Sequence, residues 1–171
     1  ALARTTVRSS VVAAESALAG IQQANRLICA DAGSGMFVTL YYVGLEPRSR
    51  RLDCICAGHN PPLHLEARDL FVVELPSGGI PLGIEETGVF SEVHVELSPG
   101  DVILLYTDGV VDAESETGEF YGLLRLTEAL KSSGLRSAEE IVEAIGSSVA
   151  AFAAGRVPFD DLTMVAVKYV G

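Results

Sequence analysis

A chain of 171 residues, 49% hydrophobic and 20% charged, carries enough apolar side chains for one packed domain and excludes a disordered tail. Its net charge of -11 disfavours nucleic acid as a direct ligand, because such binding depends on neutralising phosphates with Lys and Arg. No apolar run approaches the roughly 20 residues that a membrane-spanning helix needs. The charge is uneven: residues 1–68 hold seven Arg against five acids (+2), and residues 69–171 hold five bases against eighteen acids (-13). Residues 2–29 favour helix, with Leu18, Ile21 and Ile28 on one stripe, and Gly20 weakens the middle enough to allow two helices. Cys29, Cys54 and Cys56 are odd in number, so no disulfide framework is expected and a reducing compartment fits.

After the breaker DAGSG (31–35), the stretch MFVTLYYVGLE (36–46) is apolar on both faces and predicts a central strand. EPRSR makes a turn, and LDCICAG (52–58) predicts its hairpin partner, with the two strand thiols on one packed face. Further strands are expected at 63–66, 70–75, 89–97 and 102–106, read together as an antiparallel meander. Helix returns after Tyr121. Ser137-Ala138-Glu139-Glu140 is a capping box opening a helix with the stripe Ile141, Ile145, Val149 and Phe152, stopped by Gly155 and Pro158. A last strand at 162–170 is apolar enough to predict a place in the middle of a sheet. The order is helix, many strands, helix, strand, which predicts one α+β layered domain over residues 1–171.

Two acidic corners carry the chemistry: Asp108 ends one apolar strand, and Asp160-Asp161 starts another. If those strands are antiparallel neighbours, the carboxylates meet at one sheet edge, where Gly109 allows a sharp turn. Carboxylate oxygens suit Mg2+ and Mn2+. Turn-capping residues explain the same spacing, so both readings stay open on spacing alone. Asp112, Glu114 and Glu116 read as a solvated surface with a helix start, and His64 and His94 as exposed strand residues.

The blocks MFVTLYY, AGHNPPL, GGIPLG, GDVILLYTDGVVDAES, GEFYG and FDDLTMVAVK resemble, in this order, the metal-dependent protein phosphatases of the 2C class. The branch they are most similar to is the bacterial one with stage II sporulation protein E and the phosphatases that regulate sigma factors. Each block is weak alone, but the ordered set is specific and covers residues 36–168.

The resemblance implies a four-layer α-β-β-α sandwich of two antiparallel sheets flanked by helices. It implies a cytoplasmic serine/threonine phosphatase that hydrolyses phosphoserine or phosphothreonine with metal-activated water. It also implies two Mn2+ or Mg2+ ions, a phosphorylated anti-sigma-factor antagonist as substrate, and an upstream sensor or receiver domain. Carried over by motif, Asp108 and Asp160 become metal ligands, Asp161 and Gly109 a supporting or alternate pair, and His59 and Asn60 residues that shape the site. Members of the class carry another Asp-Gly metal block before their first long helix. The present sequence opens at that helix, so the N-terminal strands and the bridging aspartate are missing from it, either cut off or lacking in the protein, and this segment alone is expected to be poorly active. A phosphatase-like module that binds a signalling partner without turnover is the alternative.

Overall fold

The computed structural model describes residues 2–31, 37–156 and 160–171. In chain order the elements are α1 (Leu2–Ala13), α2 (Ala17–Asp31), β1 (Leu40–Glu46), β2 (Arg51–Ala57), β3 (Leu63–Glu66), β4 (Phe71–Glu74), β5 (Glu92–Glu96), β6 (Val102–Tyr106), α3 (Asp108–Val111), α4 (Gly122–Ser133), α5 (Ala138–Ala153) and β7 (Met164–Lys168). They fall into two compact units, Ala1–Pro61 with Pro76–Glu96, and Pro62–Leu75 with Leu97–Gly171. Each unit is an antiparallel sheet with helices against it, so the α+β class and the two flanked sheets are as expected. Among the described residues no helix is long and apolar enough to cross a membrane.

In the first unit the N-terminal helical segment divides at residues 14–16, where the Ser16 hydroxyl accepts from Ala19 N at 3.1 Å and starts α2. Gly20 does not break the helix. A Cβ there would stand 2.5 Å from Val11 Cα, so the missing side chain lets α1 and α2 approach. Asn25 is buried in α2 and pins the loop beyond Pro81: its amide donates to Glu85 O at 2.8 Å, and its oxygen accepts from Gly83 N at 3.0 Å.

The sheet order β1-β2-β5 corrects the expectation for the first strand, which among the described strands is an edge and not a centre. β2 takes the centre because Leu52, Cys54, Ile55, Cys56 and Ala57 are all buried, whereas Leu45 on β1 stays partly open. Burial pushes the Cys54 thiol up to about 11, as suits a packed and unreactive side chain. Ile55, Ala57, Ile21, Leu82 and Phe90 form the core.

The second unit has the order β4-β3-β6-β7, all antiparallel. The middle strands are therefore not one meander, since β5 pairs with β2 and β6 with β3. The backbone of β6 is flanked on both sides, and α4 and α5 bury Leu126, Leu130, Ile141, Ile145 and Val149 with its Val102, Leu104 and Tyr106. The capping box forms as read: Ser137 Oγ accepts from Glu140 N at 3.2 Å, and Glu140 Oε2 accepts from Ser137 N at 2.9 Å. Those bonds from Ser137 hold the Glu140 carboxyl below its usual range. α5 ends on Ala154 in the left-handed region, just before Gly155, while Pro158 lies outside the described residues. β7 was expected mid-sheet, but it pairs with β6 alone among the described strands and leaves Val165 52% exposed. Its apolar run marks one covered face rather than two.

His64 also departs from the sequence reading. Because β3 is an inner strand, the side chain is only 5% exposed, and its Nε2 lies 3.1 Å from Asp101 Oδ2. Asp101, itself buried, also accepts from Ala67 N at 2.9 Å and Ser98 N at 2.8 Å. Asp101→Ala takes this acceptor from the buried His64 ring and from the amides of Ala67 and Ser98, an expected loss of about 3 kcal/mol or about 10 °C in Tm by calorimetry. His94, by contrast, is exposed as read and lies 2.7 Å from Asp53.

Candidate metal centre

The VILLY run pairs with β7 from Val102↔Lys168 to Tyr106↔Met164. The antiparallel register carries the end of β6 to the entrance of β7, the arrangement on which the sequence argument depended. Beyond the last ladder pair the contact continues: Thr107 N donates to Thr163 O at 3.0 Å, Thr107 Oγ1 donates to Asp161 O at 2.8 Å, and Thr163 N donates to Thr107 Oγ1 at 3.0 Å. Asp108 then opens the four-residue α3.

Gly109 is buried, and a Cβ there would lie 2.6 Å from Asp161 O and 3.3 Å from Asp160 O. Its φ is not in the left-handed region, so it serves close approach of two backbones and not the sharp turn expected.

Asp108 and Asp160 are both exposed. Each turns Oδ1 to the next amide, from Gly109 N at 3.0 Å and from Asp161 N at 2.7 Å. Among the described residues the second oxygen of each has no hydrogen-bond partner in the protein. A pocket of about 400 Å3 is lined by Gly109, Asp112, Ala113, Glu114, Phe120 and Asp160, with Asp108 one residue ahead of its wall. Asp161 does not line it; its carbonyl faces Thr107 and Gly109.

The donors fit a hard, hydrated cation, since Mg2+ is commonly held by one or two carboxylates and keeps several waters. They do not form a cage: among the described residues no three His, Cys, Asp or Glu side chains group to hold a metal.

Of the neighbouring acids, Asp112 is solvated as read but lies at a helix end and not at a start. Glu114 pairs with Arg156 Nη1 at 3.0 Å, which also donates to Ser115 O at 2.7 Å. Glu116 is exposed, as read. A second hollow of about 550 Å3 uses Asp112, Ala113 and Glu114 as a wall and extends to Arg156. His59 and Asn60 belong to the first unit, where His59 Nδ1 lies 2.9 Å from Asn60 O and Cys56 Sγ donates to His59 O at 3.4 Å. The ring is held by its own loop. Thr107 and Asn25 escaped the sequence reading: a Thr before Asp-Gly reads as a turn residue, and a helical Asn carries no local mark of burial.

A family model described as stage II sporulation protein E matches residues 1–170. Protein IcfG of Synechocystis sp. is 32% identical over 151 residues, covering 88% of this chain and 24% of the relative. Phosphoserine phosphatase RsbU of Bacillus subtilis is 25% identical over 148 residues, covering 86% of this chain and 44% of the relative. The chain thus spans less than half the length of either. The SiaA-PP2C domain of Pseudomonas aeruginosa shares the fold, with a TM-score of 0.84 at 22% identity over 98% of this chain and 68% of that one.

Proposed function

From the premise that the chain belongs to the stage II sporulation protein E family, we propose that it is the catalytic portion of a metal-dependent serine/threonine protein phosphatase. The observation that carries the reading is the hydrogen-bonded junction of β6 and β7, which sets the corners of Asp108 and Asp160 side by side, each with a carboxylate oxygen that has no partner among the described residues.

Asp108 and Asp160 are the residues that would hold Mn2+ or Mg2+, with two ions in the complete site. When bound, such ions activate water and neutralise charge on the phosphoryl group. Gly109 admits the Asp160-Asp161 peptide, and Asp161 serves as a supporting or alternate donor. The hollow that reaches Arg156 has room for residues flanking the phosphorylated side chain.

The substrate we propose is a cytoplasmic phosphoserine protein, an anti-sigma-factor antagonist, with a sensor or receiver domain elsewhere in the longer protein. The alternative reading is a phosphatase-like module that binds its signalling partner without turnover.

Phosphate release from a phosphoserine protein, measured with and without Mn2+ on the full-length protein, separates the two. Manganese-dependent release is the expected result. Metal-independent partner binding with no release would leave the module reading and remove the enzyme.

A further inference from the structure

We infer that Thr107 is the positioning residue of this centre, its hydroxyl acting as the clasp that sets the spacing of the Asp108 and Asp160 corners; the inference rests on the reading of those two as metal ligands. The carboxylates themselves carry little that would fix their separation. Both are exposed, and among the described residues each carboxylate bonds only the amide that follows it. The ladder gives no help either, because its last pair is Tyr106↔Met164. Past that pair, among the described residues, it is Thr107 that makes the hydrogen bonds across the gap: its amide to Thr163 O at 3.0 Å, its hydroxyl to Asp161 O at 2.8 Å with a longer approach to Thr163 O at 3.5 Å, and the Thr163 amide to that hydroxyl at 3.0 Å. One residue therefore grips the chain on both sides of Leu162, immediately ahead of Asp108 and immediately after Asp160.

The state of the helix cap supports the same role. Thr107 sits at the N-cap of α3 with extended backbone angles (φ -86, ψ 160), the setting in which a Thr hydroxyl ordinarily accepts from an amide of the first turn. Here no such bond is made. A hydroxyl has one proton and two lone pairs, and this one directs the proton and a lone pair across to the β7 entrance. Its branched Cβ narrows χ1, which keeps the hydroxyl aimed there.

The test compares Thr107→Val, which keeps the shape and removes the hydroxyl, with Thr107→Ser, which keeps the hydroxyl. Mn2+ binding to the full chain is titrated by calorimetry, and metal-free thermal melts show that each variant is folded at the titration temperature. Thr107→Val is expected to weaken Mn2+ binding about tenfold, the lower end of what removing a ligand-orienting partner does, and Thr107→Ser to stay within about twofold of the parent. If the valine variant does not fold, Thr107→Ala, which admits water to the vacated partners, is expected to show the same loss. Parental affinity in a folded Thr107→Val or Thr107→Ala, or a Thr107→Ser as weak as they are, overturns the inference alone. A parent that binds no Mn2+, or binds it equally well with Asp108→Asn, overturns the metal-centre reading and the inference together.

Discussion

Asp108→Asn is expected to lower manganese-dependent phosphate release by about a hundredfold or more while leaving the metal-free melt within about 2 °C of the parent. The two halves of that expectation come from the two oxygens of the carboxylate. Oδ1 accepts from Gly109 N at 3.0 Å, and the amide oxygen of Asn can take that bond, so the local turn survives. Oδ2 has no partner in the protein among the described residues, and there Asn puts an NH2 donor that repels a cation. The charge is lost while the shape is kept. Removing even a residue that only orients a metal ligand costs about 10- to 100-fold, so the ligand itself belongs at or above the upper end.

Asp160→Asn follows the same logic, because its Oδ1 serves Asp161 N at 2.7 Å in the same way. Asp161→Asn is the internal comparison: its side chain does not line the pocket, and its structural contact is made by the backbone carbonyl. A loss under about tenfold is expected there. Equal rates for the parent and Asp108→Asn in a folded protein would remove Asp108 from the metal centre.

What was legible in the sequence is what local chemistry decides. β3 and β6 have the bounds read from their apolar runs, since Gly, Pro and charged residues punctuate them on both sides. The Ser137 box needs only residues within one turn of each other. Pairings between distant segments were not legible: nothing in MFVTLYY says that it is an edge, or that the inner β2 takes β5 as its other neighbour across the intervening β3 and β4. His64 is the sharpest case. Its burial depends on an acceptor 37 residues away, which no period or spacing announces.

The acidic corners were legible in part. Asp-Gly and Asp-Asp mark turns, and only antiparallel neighbours could bring them together, as the register of β6 and β7 does. Gly109 stands out in the sequence as a turn residue, yet its backbone angle is ordinary and its surroundings are not.

That difference gives Gly109→Ala its expected effect. On propensity alone the change favours α3 by about 1 kcal/mol, so an effect governed by backbone freedom would stabilise the protein. The added Cβ, however, would stand 2.6 Å from Asp161 O, 3.0 Å from Asp161 C and 3.3 Å from Asp160 O. These are backbone atoms, and no rotamer change moves them away. Relief requires the β7 entrance to shift, against the bonds that Thr107 makes to it. Overpacking of this kind costs about 1 to 3 kcal/mol, so the net loss is about 1 kcal/mol, which lowers Tm by about 3 °C.

The consequence for the metal centre is larger than the consequence for the fold, because the displaced peptide is the one that carries Asp160. A misplacement near 1 Å can cost a reaction about a hundredfold, so release of phosphate is expected to fall by at least tenfold in a protein that still melts cooperatively. Gly146→Ala is the matched comparison in α5: its nearest neighbour would be Met164 Cε at 3.8 Å, an ordinary contact. That substitution should raise Tm slightly, and because Gly146 lines the hollow that reaches Arg156 the two variants are compared by their melts and not by their rates. If Gly109→Ala behaved like Gly146→Ala, the close passage of the two backbones would not be what places Asp160, and the clasp through Thr107 would have to do so unaided.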